Sequence, residues 1–142
     1  MLLPIISKRV TRCVQAHFDA VEFDNVDGYT NKTGFPLTAG EQLTFDKDLA
    51  GIAHNDGLAV GLKNDLRQLP QLQSTFDFAI DEQCAQYREC ASYNGWKAAH
   101  KAIVEVEYTL PTSSFCLSAD LNGRDAMLKA KALAATPWTP CR

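Results

Sequence analysis

Short apolar stretches rich in β-branched and aromatic residues alternate with helical stretches along this 142-residue chain, and most of these apolar stretches end in acidic or amide side chains. Four predicted strands occupy residues 18–24, 58–65, 76–83 and 102–109. Strand–helix alternation at this spacing is typical of parallel βα units. Because right-handed crossovers connect such units, the carboxyl ends of the strands meet at one edge of the sheet. The sequence therefore predicts an α/β fold whose polar strand ends share one side.

The segments between the strands carry helix signals. Residues 2–16 have the apolar spacing of a helix, and residues 66–75 predict a short helical connection. A longer helix is expected after Thr38, which serves as the N-cap with Glu41 three residues later, and it should end at Gly57. Residues 25–37 predict a loop, 87–101 a loop followed by a helix, and 125–132 either a fifth strand or a helix.

Carboxylates at the ends of several parallel strands indicate the catalytic face of a (β/α)8 barrel. The predicted strands number only about five, whereas a closed barrel typically takes about 250 residues. We therefore expect a partial TIM (β/α)8 barrel that comprises about the last five strands with their helices. In this interpretation residues 1–142 form a single domain, and about the first three βα units are missing. A self-contained small α/β sheet is the alternative.

Composition limits the class of protein and its partners. With 46% hydrophobic and 22% charged residues the chain is typical of a soluble globular domain. The net charge is −3 and lysine and arginine do not cluster, which argues against nucleic acid as a partner. The apolar runs are too short to cross a membrane. The first ten residues lack the cleavage pattern of a signal peptide.

The chain contains five cysteines, which are Cys13, Cys84, Cys90, Cys116 and Cys141. Two disulfides are plausible, one across the short loop between Cys84 and Cys90 and one from Cys116 to Cys141, which would leave Cys13 alone. The triplet at Asn31 is also an N-glycosylation sequon. Together these features favour an exported, extracellular protein. Five reduced thiols in a cytosolic protein are the alternative.

Metal binding is the rival explanation for the acidic strand ends. No CxxC pair occurs, no histidine has zinc-ligand spacing, and the run DNVDGYTNKTGF lacks the alternating acids of a calcium loop. We therefore predict no metal site and no cofactor.

Four segments in this order, FDAVEFDNVDGYTNKTGFPLT, GLAVGLKND, FDFAIDEQCAQYREC and VEVEYT, resemble glycoside hydrolase family 114, the endo-α-1,4-polygalactosaminidase family. This resemblance implies a TIM-barrel fold and endo-acting hydrolysis of galactosamine-containing polysaccharide. It places VEFDN at the end of barrel strand four, GLKN at strand five, IDEQ at strand six and VEVEY at strand seven. The family's catalytic acids then fall on Asp24 and Glu82.

A glycosidase needs two carboxyl groups that flank the scissile bond. By this resemblance Asp24 is the expected nucleophile and Glu82 the acid/base of a retaining mechanism, which requires carboxyl groups ~5–5.5 Å apart rather than the ~6.5–9.5 Å of an inverting one. Lys63 could hold Asp24 ionised, and Asp81 and Glu107 are candidate acidic neighbours of Glu82.

Further residues are expected to bind the sugar: Glu22, Asn25, Asp27, Tyr29, Lys63, Asn64, Glu107 and Tyr108. Galactosamine without its acetyl group is cationic, so an acidic rim would attract it. Two functions stay open, an active glycosidase and a truncated, inactive or carbohydrate-binding remnant. Unpaired sheet edges make self-association possible.

Overall fold

The structure is a computed structural model that describes residues 2–142. These residues pack as two compact units, one ending at Asp77 and one running from Phe78 to Arg142. Each unit combines strands with helices. The expectation that residues 1–142 form one domain stays a prediction. No helix among residues 2–142 is both long enough and apolar enough to cross a bilayer.

Within residues 2–77 the first unit contains three α-helices, two strands and a short 3-10 helix: α1 (Leu3–Gln15), β1 (Ala20–Phe23), the 3-10 helix (Gly28–Thr30), α2 (Ala39–Asn55), β2 (Ala59–Lys63) and α3 (Leu69–Leu72). β1 and β2 pair in parallel, with Glu22 opposite Gly61 and Phe23 opposite Leu62. Each strand lies inside the range predicted from the sequence, and so does each α-helix.

The helix α2 begins and ends as its sequence predicts. Thr38 accepts a hydrogen bond from the backbone N–H of Glu41, and the Glu41 carboxylate accepts one from the backbone N–H of Thr38, which completes a capping box. At the other end Gly57 has φ +78°, and the N–H groups of Gly57 and Leu58 bond to carbonyls of the last turn. This Schellman arrangement requires a left-handed residue, which glycine adopts without steric cost.

The core of the first unit lies between the helices and one face of the strands. Val60 and Leu62 alternate along β2 and are fully buried, as are Ala50 and Ala53 of α2. Successive side chains of a strand point to opposite faces. The other face of the strand pair therefore carries Ala20 and Glu22 of β1 and the side of β2 that includes Lys63.

The second unit contains four strands, three α-helices and two short 3-10 helices: β3 (Phe78–Glu82), α4 (Cys84–Tyr87), a 3-10 helix (Cys90–Tyr93), α5 (Asn94–Ala98), β4 (Ile103–Glu107), a 3-10 helix (Thr112–Ser114), α6 (Cys116–Leu121), β5 (Asp125–Lys129) and β6 (Trp138–Pro140). β3, β4 and β5 are parallel neighbours, and β6 is antiparallel to β5. The segment 125–132, for which the sequence allowed a strand or a helix, contains a strand.

Two disulfides lie in the second unit. Cys84 is bonded to Cys90 and Cys116 to Cys141, and Cys13 of the first unit has a free thiol. Both predicted pairings are confirmed. The second bond joins the first residue of α6 to the residue that follows β6, next to the buried cluster of Phe115, Ala119 and Ala126.

Candidate active site

Three strands are each followed by the same kind of backbone turn, in which one residue has a positive φ. The residue that follows β1 and Asp24 is Asn25, with φ +58°; after β2 it is Asn64, with φ +50°; and after β3 it is Gln83, with φ +70°. Residues other than glycine rarely adopt positive φ, and such residues are concentrated at functional sites. The chain thus turns sharply beside each of the predicted site residues Asp24, Lys63 and Glu82.

Asp24 lies at the carboxyl end of β1 in a dense set of hydrogen-bond donors. Its Oδ1 is 3.0 Å from Nζ of Lys63, and its Oδ2 accepts a hydrogen bond of 3.1 Å from Nδ2 of Asn25. The hydrogen bond from Lys63 lowers the pKa of the Asp24 carboxyl, assisted by the lysine charge and the backbone N–H of Asn25, although partial burial opposes them. Asp24 is therefore ionised at neutral pH, as a nucleophile must be.

The remaining predicted residues of the first unit surround the same strand ends. Glu22 is exposed on the face of β1 that Lys63 shares on β2. Asp27 starts the 3-10 helix, where its carbonyl accepts the N–H and the hydroxyl of Thr30. Tyr29 follows within that helix, and its hydroxyl donates a hydrogen bond of 3.1 Å to Oδ1 of Asp65.

Two buried aspartates, Asp46 and Asp65, lie close to Asp27 and Tyr29, and the sequence did not single them out. Asp65 follows Asn64 at the end of β2, and Asp46 lies on α2, where its Oδ1 accepts a hydrogen bond of 2.8 Å from Gln42. Burial raises the pKa of Asp46 to about 7 and that of Asp65 to about 6, and the charge of Asp27 adds to both shifts. Burial and the Asp65 carboxyl also raise the pKa of Tyr29 to about 12, so its hydroxyl keeps its proton.

In the second unit Glu82 ends β3, and Tyr108 directly follows β4 on the same face. The Tyr108 hydroxyl donates a hydrogen bond to Oε1 of Glu82. The strand register explains this contact, because Glu82 is opposite Val106 and Tyr108 lies two residues further along the chain. The sequence thus pairs the predicted acid/base with a phenol that holds one carboxyl oxygen in place.

Three other acidic residues, Asp81, Glu105 and Glu107, lie on the opposite face of β3 and β4 and are almost fully buried. Asp81 is opposite Glu105 in the register. Nε of Arg124 donates a hydrogen bond of 2.7 Å to Glu105, and the N–H of Ala85 donates one of 2.8 Å to Glu107. These contacts are internal to the unit, and they place Glu107 and Glu82 on different faces.

Burial raises the pKa of Asp81 to about 7, and the charges of Glu89 and Glu105 contribute, while hydrogen bonds from Tyr93 and from the N–H of Cys84 oppose the shift. Burial also raises the pKa of Glu107, against the hydrogen bonds from the N–H groups of α4. Asp81 and Glu107 together accept the first N–H groups of α4. They therefore fix the segment that directly follows Glu82.

Among residues 2–142, one cluster of side chains lies close enough together to hold a metal ion; it consists of Cys84, Cys90 and Glu105. The two sulfur atoms of this cluster are joined in a disulfide. A disulfide has no thiolate to offer a metal, so in this oxidation state the cluster is structural.

This chain matches a known protein family in sequence and known structures in fold. The sequence matches the profile of glycoside-hydrolase family GH114 over residues 3–140. The crystal structure of Aspergillus fumigatus Ega3 in complex with galactosamine superposes with a TM-score of 0.86 and 28% identity, over 93% of this chain and 58% of that one. No curated protein has a sequence that matches this chain significantly.

The glycoside hydrolase domain of PelA from Pseudomonas aeruginosa also superposes, with a TM-score of 0.64 and 13% identity, over 92% of this chain and 60% of that one. This second likeness concerns the fold alone. The two matches confirm the predicted fold class, an α/β fold that corresponds to part of a TIM-barrel glycoside hydrolase. The chain spans about 58% of the length of Ega3.

Proposed function

Because this chain belongs to glycoside hydrolase family GH114, we propose that it is the carboxyl-terminal part of an endo-acting glycosidase that cleaves α-1,4-linked galactosamine polysaccharide. The observation that carries the proposal is the pair of strand-end carboxyl groups with different surroundings. Asp24 is held ionised by Lys63, and Glu82 is bound by a phenol hydroxyl. A two-carboxylate glycosidase needs one carboxyl group as nucleophile and a second, held in position, as acid/base.

In the proposed reaction Asp24 attacks the anomeric carbon while Glu82 gives its proton to the oxygen of the departing sugar. The glycosyl group is then bonded to Asp24, and Glu82, now a carboxylate, takes a proton from the water that releases it. This retaining course requires the two carboxyl groups to lie ~5–5.5 Å apart around the bound sugar. The hydrogen bond from Tyr108 restrains the Glu82 carboxyl group, which is proposed to transfer the proton.

The proposed substrate is a galactosamine polymer. Ega3, to which this chain is similar, was crystallised with galactosamine. In the first unit the rim of strand ends carries the partly or fully exposed carboxylates of Glu22, Asp24 and Asp27. An amino sugar without its acetyl group is a cation, so these carboxylates would attract it. Asn25, Asp27, Tyr29 and Asn64 are proposed to contact sugar hydroxyls from the same rim.

We propose that the protein acts outside the cell, because disulfides are typical of secreted proteins and rare in cytosolic ones. The second candidate function is an inactive or carbohydrate-binding remnant. It is favoured by one observation, the 58% of the Ega3 chain that this chain covers. A barrel cleft is built from the loops of all eight strands, so a part of it can retain both carboxylates and lose the cleft.

Hydrolysis assays separate the two functions. We expect little or no release of reducing ends from α-1,4-galactosaminan by the 142-residue chain, and clear release by a chain extended amino-terminally by about 100 residues, or three βα units. In the extended chain Asp24→Asn and Glu82→Gln should each lower the rate at least about 1,000-fold. Asp19→Asn, at the opposite end of β1, is the matched control and should leave the rate unchanged.

Activity that survived both substitutions would refute the assignment of the two acids. Robust cleavage by the 142-residue chain would refute the second candidate function, an inactive or carbohydrate-binding remnant. The anomeric configuration of the first product, followed by NMR, distinguishes retention from inversion.

A further inference from the structure

The second unit has a pocket of about 200 Å³ where β4 and β5 end beside β6. It is lined by Tyr108, Leu128, Lys129, Ala130, Pro137 and Thr139. Drug-sized ligands occupy pockets of about 300–1,000 Å³, so a pocket of this size accommodates about one sugar ring. It is a candidate subsite that the mechanism above does not use.

Tyr108 connects this pocket to the proposed chemistry. Its ring forms part of the wall, and its hydroxyl donates a hydrogen bond to Glu82. A ring held in the pocket is therefore one side chain away from the proposed acid/base. The Tyr108 and Pro137 rings offer flat apolar surface for the C–H face of a sugar, and the Thr139 hydroxyl can both donate and accept a hydrogen bond.

The charge of this pocket is opposite to that of the rim in the first unit. Lys129 is its charged lining residue, and none of its lining residues is acidic. Nζ of Lys129 donates a hydrogen bond of 2.5 Å to the carbonyl of Ala134, which fixes the ammonium group at the wall. An ammonium group has three donors and no acceptor, so it repels a protonated amine and can donate to an acetamido carbonyl.

We propose that this pocket binds one N-acetylated, uncharged hexosamine ring of the polysaccharide. The inference rests on the proposed function for the identity of the polymer. It adds that the preferred substrate is partly acetylated, with a free amine favoured along the acidic rim of Glu22, Asp24 and Asp27 and an acetylated residue favoured in the Lys129 pocket. The acetyl carbonyl accepts a hydrogen bond from Lys129, and the sugar ring packs on Tyr108.

The test is a titration of the 142-residue chain, followed by the backbone NMR signals of the pocket, with N-acetylgalactosamine and with galactosamine at neutral pH. We expect N-acetylgalactosamine to shift the signals of Tyr108, Lys129 and Thr139 and to bind at least about fivefold more tightly than galactosamine, a ratio equivalent to about 1 kcal/mol. Equal or tighter binding of galactosamine at these residues overturns the proposal, and so does the absence of binding by N-acetylgalactosamine.

Substitutions at Lys129 show whether its charge causes the preference. Lys129→Met should bring the ratio of the two affinities close to 1, and Lys129→Arg should restore it. Lys131→Met is the matched control, because it makes the same change in net charge at an exposed lysine outside the pocket lining. An unchanged ratio in Lys129→Met, or the same loss in Lys131→Met, overturns the role of Lys129. The NMR spectrum of each variant reports whether the fold is retained.

This experiment measures binding, so its outcome is independent of hydrolysis. Selective binding without hydrolysis in the extended chain would leave the pocket assigned and refute the glycosidase. Hydrolysis of fully de-acetylated polymer by the extended chain, with no selective binding, would leave the glycosidase and refute the acetyl subsite.

Discussion

Nζ of Lys63 lies 3.0 Å from Oδ1 of Asp24, and the lysine side chain is 9% exposed whereas the aspartate side chain is 65% exposed. A largely buried ammonium group thus contacts an accessible carboxylate. Burial of the lysine reduces screening of its charge by water, and the accessible carboxylate remains open to a ligand. Lys63 therefore keeps Asp24 charged and leaves it accessible to a ligand.

Lys63→Met should raise the pKa of Asp24, because the variant keeps the length of the side chain and removes its charge and its hydrogen bond. The measurement is a pH titration of the Asp24 side-chain carboxyl carbon by NMR. Lys47→Met, on the exposed side of α2, is the control and should leave the Asp24 titration where it is. A titration curve unaffected by Lys63→Met would contradict the assignment of Lys63 as the residue that keeps Asp24 ionised.

The buried aspartates of the first unit predict that stability falls as pH rises from about 4 to about 7. The pKa of Asp46 is about 7 and that of Asp65 about 6 in the folded chain, both above the value of an unfolded aspartate. Between these limits the folded state holds protons that the unfolded state has released, so rising pH favours unfolding. At about 1.4 kcal/mol for each pH unit, the two groups together give a loss on the order of 5 kcal/mol, measured by urea unfolding across this range.

Asp46→Asn should reduce this pH dependence, because the amide keeps the acceptor for Gln42 and cannot ionise. Asp65 and Asp81 still titrate in the variant, so part of the slope remains. Asp48→Asn is the matched control, since it removes an exposed carboxyl from the same helix and leaves the buried cluster intact. If the slope were as steep in Asp46→Asn as in the unchanged chain, Asp46 would not contribute to it.

Glu107→Ala should destabilise the chain by about 2–4 kcal/mol. The substitution leaves the partly buried N–H of Ala85 without its acceptor and opens a cavity. Glu107→Gln keeps the acceptor oxygen, and burial already favours the uncharged carboxyl, so it should cost less than about 1 kcal/mol. Chemical unfolding measures both, with Asp125→Ala as a control that breaks an exposed ion pair with Arg142. Equal costs for the two Glu107 variants would exclude the hydrogen bond as the cause.

The two disulfides should differ in their contributions to stability. The bond from Cys116 to Cys141 spans 25 residues and that from Cys84 to Cys90 spans 6, and a longer closed loop restricts the unfolded chain more. Removing the first pair as serines should cost about 1 kcal/mol more than removing the second. Mass spectrometry after alkylation of the unfolded, unreduced chain should show one modified thiol, at Cys13. A larger loss for the shorter loop would contradict the entropic account.

Sequence patterns were sufficient for much of this structure. Alternating apolar residues bounded by polar ends located β1 to β4, Thr38 and Gly57 set the ends of α2, and cysteine spacing indicated both disulfides. For the segment that contains β5, the sequence left a strand and a helix open. The strand β6 was missed, because three residues ending in a proline carry almost no strand signal. Helix α6 was missed for a similar reason, since six residues show less than two helical turns of periodicity.

Sequence patterns were not sufficient to predict which acidic residues of the candidate site are buried. Period-two alternation indicates that Glu105 and Glu107 share a face, but it does not say which face the helices cover. The structure places both acids under α4 and Arg124, whereas Glu82 and Tyr108 point the other way. Asp46 could not be selected either, because a carboxylate on a helix is usually solvated and its burial depends on contacts that are distant in sequence.

The strand β6 has a consequence for the solubility of the second unit. It pairs with β5 from Met127 to Lys129. Pro137 directly precedes this strand, and Pro140 is its last residue. Proline has no amide hydrogen, so it interrupts the row of donors that a foreign strand would need for attachment. The edge of the sheet formed by β6 is therefore a poor template for a strand from a neighbouring copy, which disfavours both fibril formation and strand exchange.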